Sequence, residues 1–141
     1  LKQQQVDASM LYTSDHGEDI FDDGRHLFLH ASPVPSYYQL HVPLLLWTSD
    51  SYREEYPGIE KAASMNRQKN ISSSISFFQT MMELAGIETP YRNDSLSVTS
   101  PLYTEKSRVY LNDHNEPRPL DDIGMRKEDF EMLKKRGIDA Q

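Results

Sequence analysis

The stretch Met10-Leu11-Tyr12-Thr13-Ser14-Asp15-His16-Gly17-Glu18 narrows the possible fold more than any other part of the chain. Met10, Leu11 and Tyr12 form the apolar body of a buried strand, predicted over Ala8 to Ser14. Ser14 to Glu18 form a polar tip. In open α/β sheets, ligands collect just beyond the carboxyl ends of strands. An Asp and a His side by side at such an end are suited to a metal ion: the carboxylate brings charge, and the neutral imidazole a nitrogen lone pair. Neighbouring side chains on a strand point to opposite faces, so both reach one ion only if the strand ends at them. Gly17 lets the backbone turn there without a Cβ clash. Asp and Gly are also ordinary turn residues, so on composition alone Asp-His-Gly-Glu reads as a polar surface turn. A second His-containing cluster a dozen residues later shifts the weight toward a site.

At 141 residues the chain is long enough for one domain with a modest core. Its net charge of −7 argues against nucleic acid, which calls for a basic patch. There is no cysteine, which excludes disulfides and thiolate zinc sites. No run approaches the roughly 20 apolar residues that cross a bilayer. The chain opens Leu-Lys-Gln-Gln-Gln, without an initiator Met or a signal peptide. It is expected to be a piece of a longer protein, so the missing membrane and export signals concern the piece alone.

Leu1 to Gln5 reads as a helix end. Glu18 to Tyr38 reads as a long loop in which Glu18, Asp19, Asp22 and Asp23 surround Ile20 and Phe21; acidic loops of this kind are usually solvated. Pro33 and Pro35 stop any helix begun by His26 to His30. Val42-Pro43-Leu44-Leu45-Leu46-Trp47 is a near-continuous apolar run, as in a parallel-sheet strand covered on both faces. Thr48-Ser49-Asp50 can cap a helix over Ser51 to Tyr56, which Pro57-Gly58 breaks, and Ile59 to Lys69 is partly helical. The spacing of Ile75, Phe78, Met82 and Ala85, widened by Phe77, Met81 and Leu84, predicts a helix over Ile71 to Ala85 with that stripe in the core, an N-cap among Ser72 to Ser74, and Gly86 just past its end. Arg108 to Asn112 is a short strand, Asp113 to Asp122 a polar loop, and Lys127 to Arg136 a charged helix closed by Gly137. Strand, long connection, strand and helix in this order favour an α/β fold.

Of the five histidines, His26, His41 and His114 read as structural. A zinc site needs about four ligands and a calcium site six or more oxygens. Asp15 and His16 supply two. Glu18, Asp22 and Asp23 are further candidates, and the remaining ligands would lie upstream.

Tyr12-Thr13-Ser14-Asp15-His16-Gly17-Glu18, then Phe28-Leu29-His30-Ala31-Ser32-Pro33, then Val42-Pro43-Leu44-Leu45-Leu46-Trp47 resembles the C-terminal part of the phosphoethanolamine transferases. These belong to the alkaline phosphatase superfamily, alongside the sulfatases. The helix followed by Ala85-Gly86-Ile87 resembles the same group. Arg108 to Glu116 is similar to the tail of members from the Bacteroidetes branch. The resemblance covers nearly the whole chain, and its first motif is the most specific.

The resemblance implies the C-terminal portion of an alkaline-phosphatase-like mixed sheet flanked by helices. It implies that Asp15 and His16 ligate a metal, zinc before manganese or calcium. His30 would be the catalytic residue that contacts the transferred phosphoryl group or the leaving oxygen. The nucleophile would be an upstream Thr forming a covalent phosphoryl-enzyme; Thr13 does not match its motif. The implied donor is phosphatidylethanolamine, the acceptor lipid A or a surface glycan, and the place the periplasmic face of the inner membrane. Two features depart from the polymyxin-resistance members. The segment Asp19-Ile20-Phe21-Asp22-Asp23-Gly24-Arg25 replaces a shorter one, and cysteines are missing. A sulfatase or phosphodiesterase fragment of the same superfamily is the alternative enzyme. A non-catalytic binding module, with Asp15-His16 as a plain turn, is the alternative of another class. The resemblance implies that 1–141 is a C-terminal fragment of a sulfatase-like catalytic domain whose upstream half and membrane anchor lie outside it, and this piece is expected to lack turnover and to expose an apolar surface where the missing half would pack, which favours self-association.

Overall fold

The computed structural model describes residues 6–30, 34–112, 114 and 116–138. The predicted helix end at Leu1 to Gln5 and the stop at Pro33 lie outside them. In chain order the elements are β1 (Ser9–Thr13), β2 (Asp19–Ile20), β3 (Phe28–Leu29), α1 (Tyr37–Leu40), β4 (Leu44–Thr48), α2 (Asp50–Glu55), α3 (Pro57–Asn66), α4 (Ser73–Leu84), β5 (Val109–Leu111), β6 (Pro117–Pro119) and α5 (Lys127–Lys135). Short 3-10 turns occupy Asp94–Leu96 and Leu120–Asp122. The chain divides into two compact units. One takes the residues up to Thr13 with Leu44–Lys106; the other takes Ser14–Pro43 with the residues from Ser107 on.

In the first unit β1 pairs with β4, with Ser9 opposite Thr48 and Tyr12 opposite Leu45. The pairing is antiparallel, so the parallel neighbour expected for the apolar run at β4 is corrected. An unbroken apolar run reports that both faces of a strand are apolar; it carries no information on the direction of its neighbour. Here Tyr12 and Leu45 share one face and are both half exposed, while Leu11, Leu44 and Leu46 line a cleft of about 360 Å³ with Ala63, Ile71 and Val98. Ser49 caps α2 by accepting from the Tyr52 N–H at 3.2 Å. Pro57 ends α2 as expected, and the same residue opens α3, where a missing N–H costs nothing.

Helix α4 forms where predicted, and Gly86 follows it with φ 62°. The expected core stripe is corrected in part: Leu84 is buried, but Phe78 is 55% and Met81 48% exposed, and the other buried residues of the helix are Ser76 and Thr80. The cause lies in the segment Ser97–Ser100, whose backbone lies close against the helix. Val98 N–H donates to Thr80 Oγ1 at 3.1 Å, and Asn66 Nδ2 donates to the Val98 and Ser100 carbonyls at 3.0 and 2.8 Å. Only small hydroxyl side chains admit a backbone at that distance.

The second unit packs α1 and α5 around Tyr37, Leu120, Met125 and Leu133. β2 and β3 form a small antiparallel hairpin, Asp19 opposite Leu29, inside what the sequence presents as loop. Phe28 and Leu29 are therefore strand, not the start of a helix. β5 pairs with β6. The loop expected over Asp113 to Asp122 is corrected at β6, which pairs despite Pro117 and Pro119 because one edge of a two-stranded ribbon needs no donors.

Candidate metal centre

The chain leaves β1 at Thr13 and turns sharply. The Ser14 hydroxyl donates to the His16 carbonyl at 2.6 Å, and the His16 N–H donates to Asp15 Oδ1 at 3.1 Å. That bond is the main cause holding the Asp15 carboxyl below its usual range. Gly17 then docks on α1: its N–H donates to the Gln39 carbonyl at 2.8 Å. A Cβ at Gly17 would sit 2.0 Å from the Tyr38 carbonyl oxygen. Gly17 is required by this close approach to α1.

The docking sorts the side chains around it. Asp19 points inward, 2% exposed, and accepts from the Ser36 hydroxyl at 2.7 Å and from Gln39 Nε2. Its neighbour Glu18 reaches His30, with Oε1 2.6 Å from Nδ1. The His16 and His30 rings lie 4.1 Å apart between centroids. His16 Nδ1 lies 3.0 Å from the Gly17 carbonyl, a contact that raises its pKa above the ordinary value and leads the causes of that rise. In the neutral ring this bond keeps the proton on Nδ1 and leaves the Nε2 lone pair free to ligate. That Nε2 is 3.8 Å from Asp15 Oδ2.

Among the described residues, His16, Glu18 and His30 form a group whose ligand atoms all lie within 4.8 Å of one another. Glu18 Oε2 is buried and has no hydrogen-bond partner. A buried carboxylate oxygen without a donor calls for a cation or a proton. Asp15 stands beside this group, its side chain 88% exposed. The structure thus brings His30 to His16, as the sequence motifs suggest, and adds Glu18 between them. The His16 imidazole with the Asp15 and Glu18 carboxylates offers mixed nitrogen and oxygen donors that fit zinc, since nitrogen donors suit zinc and calcium prefers oxygens throughout, and His30 stands beside them bonded to Glu18.

Two of the remaining histidines have structural pairings. The His41 ring stacks on Tyr37, whose hydroxyl is 2.8 Å from its Nδ1, and burial pushes the His41 pKa down. His26 lies against Phe21 with 6.5 Å between ring centroids.

The residues that sequence reasoning missed are those beneath the site. Arg25 spans Asp23 and Asp129, reaching the Asp129 oxygens at 2.7 and 3.0 Å. Asp129 is 0% exposed and also accepts from the Tyr37 N–H at 2.9 Å. The only local signal was Arg25 itself, one cation among four acids between Glu18 and Asp23.

A family model described as Sulfatase matches residues 1–87. The phosphoethanolamine transferase EptA of Escherichia coli (strain K12) is 33% identical over 91 residues, 63% of this chain and 16% of that protein. EptA of Salmonella typhimurium is 31% identical over 102 residues, 70% of this chain and 18% of the relative. The chain therefore spans under a fifth of the length of these relatives. Among solved structures, the C-terminal periplasmic domain of EptC from Escherichia coli superposes with a TM-score of 0.62 at 26% identity, over 72% of this chain and 28% of that one. The same domain in complex with Zn gives a TM-score of 0.72 at 24% identity, over 91% and 35%. The alkaline-phosphatase-like fold expected from the sequence is thereby established. Among the described residues no helix is long and apolar enough to cross a membrane.

Proposed function

The chain belongs to the sulfatase family, and from that membership we propose that it is the C-terminal part of a zinc-dependent phosphoethanolamine transferase, contributing one side of its metal centre. The observation that carries this reading is the gathering of His16, Glu18 and His30, with Glu18 Oε2 buried and without a hydrogen-bond partner. The phosphoethanolamine transferases named above support the reaction class, and the zinc complex of the EptC domain supports the metal.

In this proposal Asp15 and His16 Nε2 hold the ion. When bound, zinc supplies a Lewis acid that polarises a phosphoryl oxygen and lowers the pKa of a hydroxyl nucleophile. The rest of the work falls to this chain's own groups. Glu18 accepts the Nδ1 proton of His30 and orients that ring. His30 Nε2 is then left to exchange a proton with the oxygen that leaves or enters. Gly17 and Asp19 fix the backbone on either side of Glu18 to α1, so that little reorganisation is needed as charge moves. The nucleophile and the other ligands belong to upstream sequence of the longer protein. The donor is phosphatidylethanolamine, and the acceptor lipid A or a surface glycan, on the periplasmic face of the inner membrane. The family model's own description favours a second reading, hydrolysis of a sulfate or phosphate ester at the same centre.

Zinc titration by calorimetry tests the site in this chain. Asp15→Ala and His16→Ala should each weaken binding at least about tenfold, as loss of a ligand does. In the longer gene product, His16→Ala should abolish transfer from phosphatidylethanolamine. Unchanged zinc content and activity there would refute the assignment. Sulfate-ester hydrolysis without transfer would install the second reading instead.

A further inference from the structure

The three residues gathered at the candidate centre sit on two arms of chain. His16 and Glu18 lie on one, between β1 and β2, and His30 follows β3 on the other. The arms pair directly through two residue pairs, Asp19 opposite Leu29 and Ile20 opposite Phe28. A two-stranded hairpin is marginal by itself in water. Leu29 adds strain, because its φ of 62° is an outlier for a bulky residue and persists only where the surroundings enforce it. The centre nevertheless needs the arms closely set. Glu18 Oε1 lies 2.6 Å from His30 Nδ1, and the His16 and His30 ring centroids are 4.1 Å apart.

One buried residue of α1 bonds to both arms. Gln39, 6% exposed, accepts from the Gly17 N–H through its main-chain carbonyl at 2.8 Å. Its side-chain Nε2 donates to Asp19 Oδ2 and reaches the Leu29 carbonyl at 3.4 Å. Gly17 lies between His16 and Glu18, Asp19 follows Glu18, and Leu29 precedes His30. Each member of the centre is therefore the covalent neighbour of a group that Gln39 binds. The residue type matters: a primary amide carries two hydrogens on one nitrogen, one for each arm, whereas a carboxylate of the same size carries none. Ser36 completes the frame, since its hydroxyl donates to Asp19 Oδ1 at 2.7 Å and accepts from the Gln39 N–H at 3.3 Å.

We propose that Gln39 is a positioning residue that sets His30 against the His16–Glu18 turn. Its Gly17 and Asp19 bonds fix the arm with the candidate metal ligands, and its Leu29 bond fixes the arm with the proton-transferring imidazole. The proposal rests on the reading above for the chemical work of His30, and its first readout needs no metal.

The test exchanges donor for acceptor. Gln39→Glu sets a carboxylate against Asp19 and removes both amide hydrogens, so it should lower the melting temperature of the 141-residue chain. Adding Asp19→Asn restores the first bond with its direction reversed and leaves the Leu29 carbonyl without its donor. This double variant should regain most of the lost melting temperature and bind zinc as wild type does. It should still lack the nuclear Overhauser contact between the His16 and His30 ring protons that wild type shows. In the longer gene product the same pair should lower kcat by roughly a hundredfold at unchanged KM, as expected for a group misplaced by about 1 Å. A double variant that keeps the ring contact overturns the proposal, because Gln39 would then serve only its bond to Asp19. So does unchanged kcat, and so does a double variant no more stable than Gln39→Glu. Should Gln39→Glu fail to fold, the double variant is compared with wild type directly. A wild-type chain that shows the ring contact and binds no zinc refutes the metal centre and leaves the role of Gln39 standing. A double variant that keeps the contact while wild type binds zinc does the reverse.

Discussion

The two units bury polar groups of opposite kinds. In the first, the fully buried polar side chains are neutral: Asn66, Ser76, Thr80, Ser97 and Thr99 are each 0 or 1% exposed, and they bond to backbone, to one another and, for Ser97 and Thr99, to the half-buried Glu83 carboxylate. In the second, two carboxylates go inside, Asp19 at 2% and Asp129 at 0%. A neutral bond fixes a segment at modest net gain, about 1 kcal/mol. A buried carboxylate is a larger stake, because it is costly unless every oxygen is met. The unit that carries the candidate site is thus the one held by charges, and its loop is fixed more firmly than its length suggests.

This contrast can be broken by experiment. Asp129→Ala strands Arg25 and the Tyr37 N–H together and should cost about 3–5 kcal/mol in denaturant unfolding. A loss below that of a neutral buried bond would erase the distinction. Gly17→Ala pushes a Cβ against the Tyr38 carbonyl, a backbone atom that cannot swing aside, and should cost up to about 3 kcal/mol while weakening zinc binding. Asn66→Ala leaves two carbonyls unmet in the neutral unit and should cost about 2 kcal/mol without touching zinc affinity.

Asp23→Asn should have the smallest effect. The Arg25 guanidinium lowers the Asp23 pKa, so the carboxylate's contribution is complete above the unfolded value of about 3.9. It is lost as pH falls through the lowered folded value. The melting temperatures of wild type and Asp23→Asn should differ at neutral pH and converge in acid; a gap that persists in acid would show that packing, and not charge, sets it.

Much of this was legible in the chain. The apolar runs located β1 and β4, the serines and glycines bounded α2 and α4, and the pair Asp15-His16 with a later His30 located the site. What stayed hidden depends on partners far off in sequence. Ser76 and Thr80 line the buried face of α4 because a distant segment, Ser97–Ser100, lies against it, and periodicity alone favoured Phe78 and Met82. Asp129 looks like one more acid at the start of a charged helix, and only its meeting with Arg25, 104 residues away, makes it an anchor. The direction of β4 was hidden for the same reason. The metal-ligand roles of Asp15 and His16 and the catalytic role of His30 are proposals that zinc titration and the activity of the longer protein decide.

The alternation at Gly17, Glu18 and Asp19 has a kinetic consequence. The Gly17 amide is bonded to Gln39 in the last turn of α1, and the next two carboxylates are gripped from opposite sides. Of these, the Gly17 amide and the Asp19 carboxylate are both tied to Gln39 and should open together with it. The Gly17 amide should therefore exchange its hydrogen with solvent at the pace of α1 as a whole, so that a surface turn keeps the clock of a core helix.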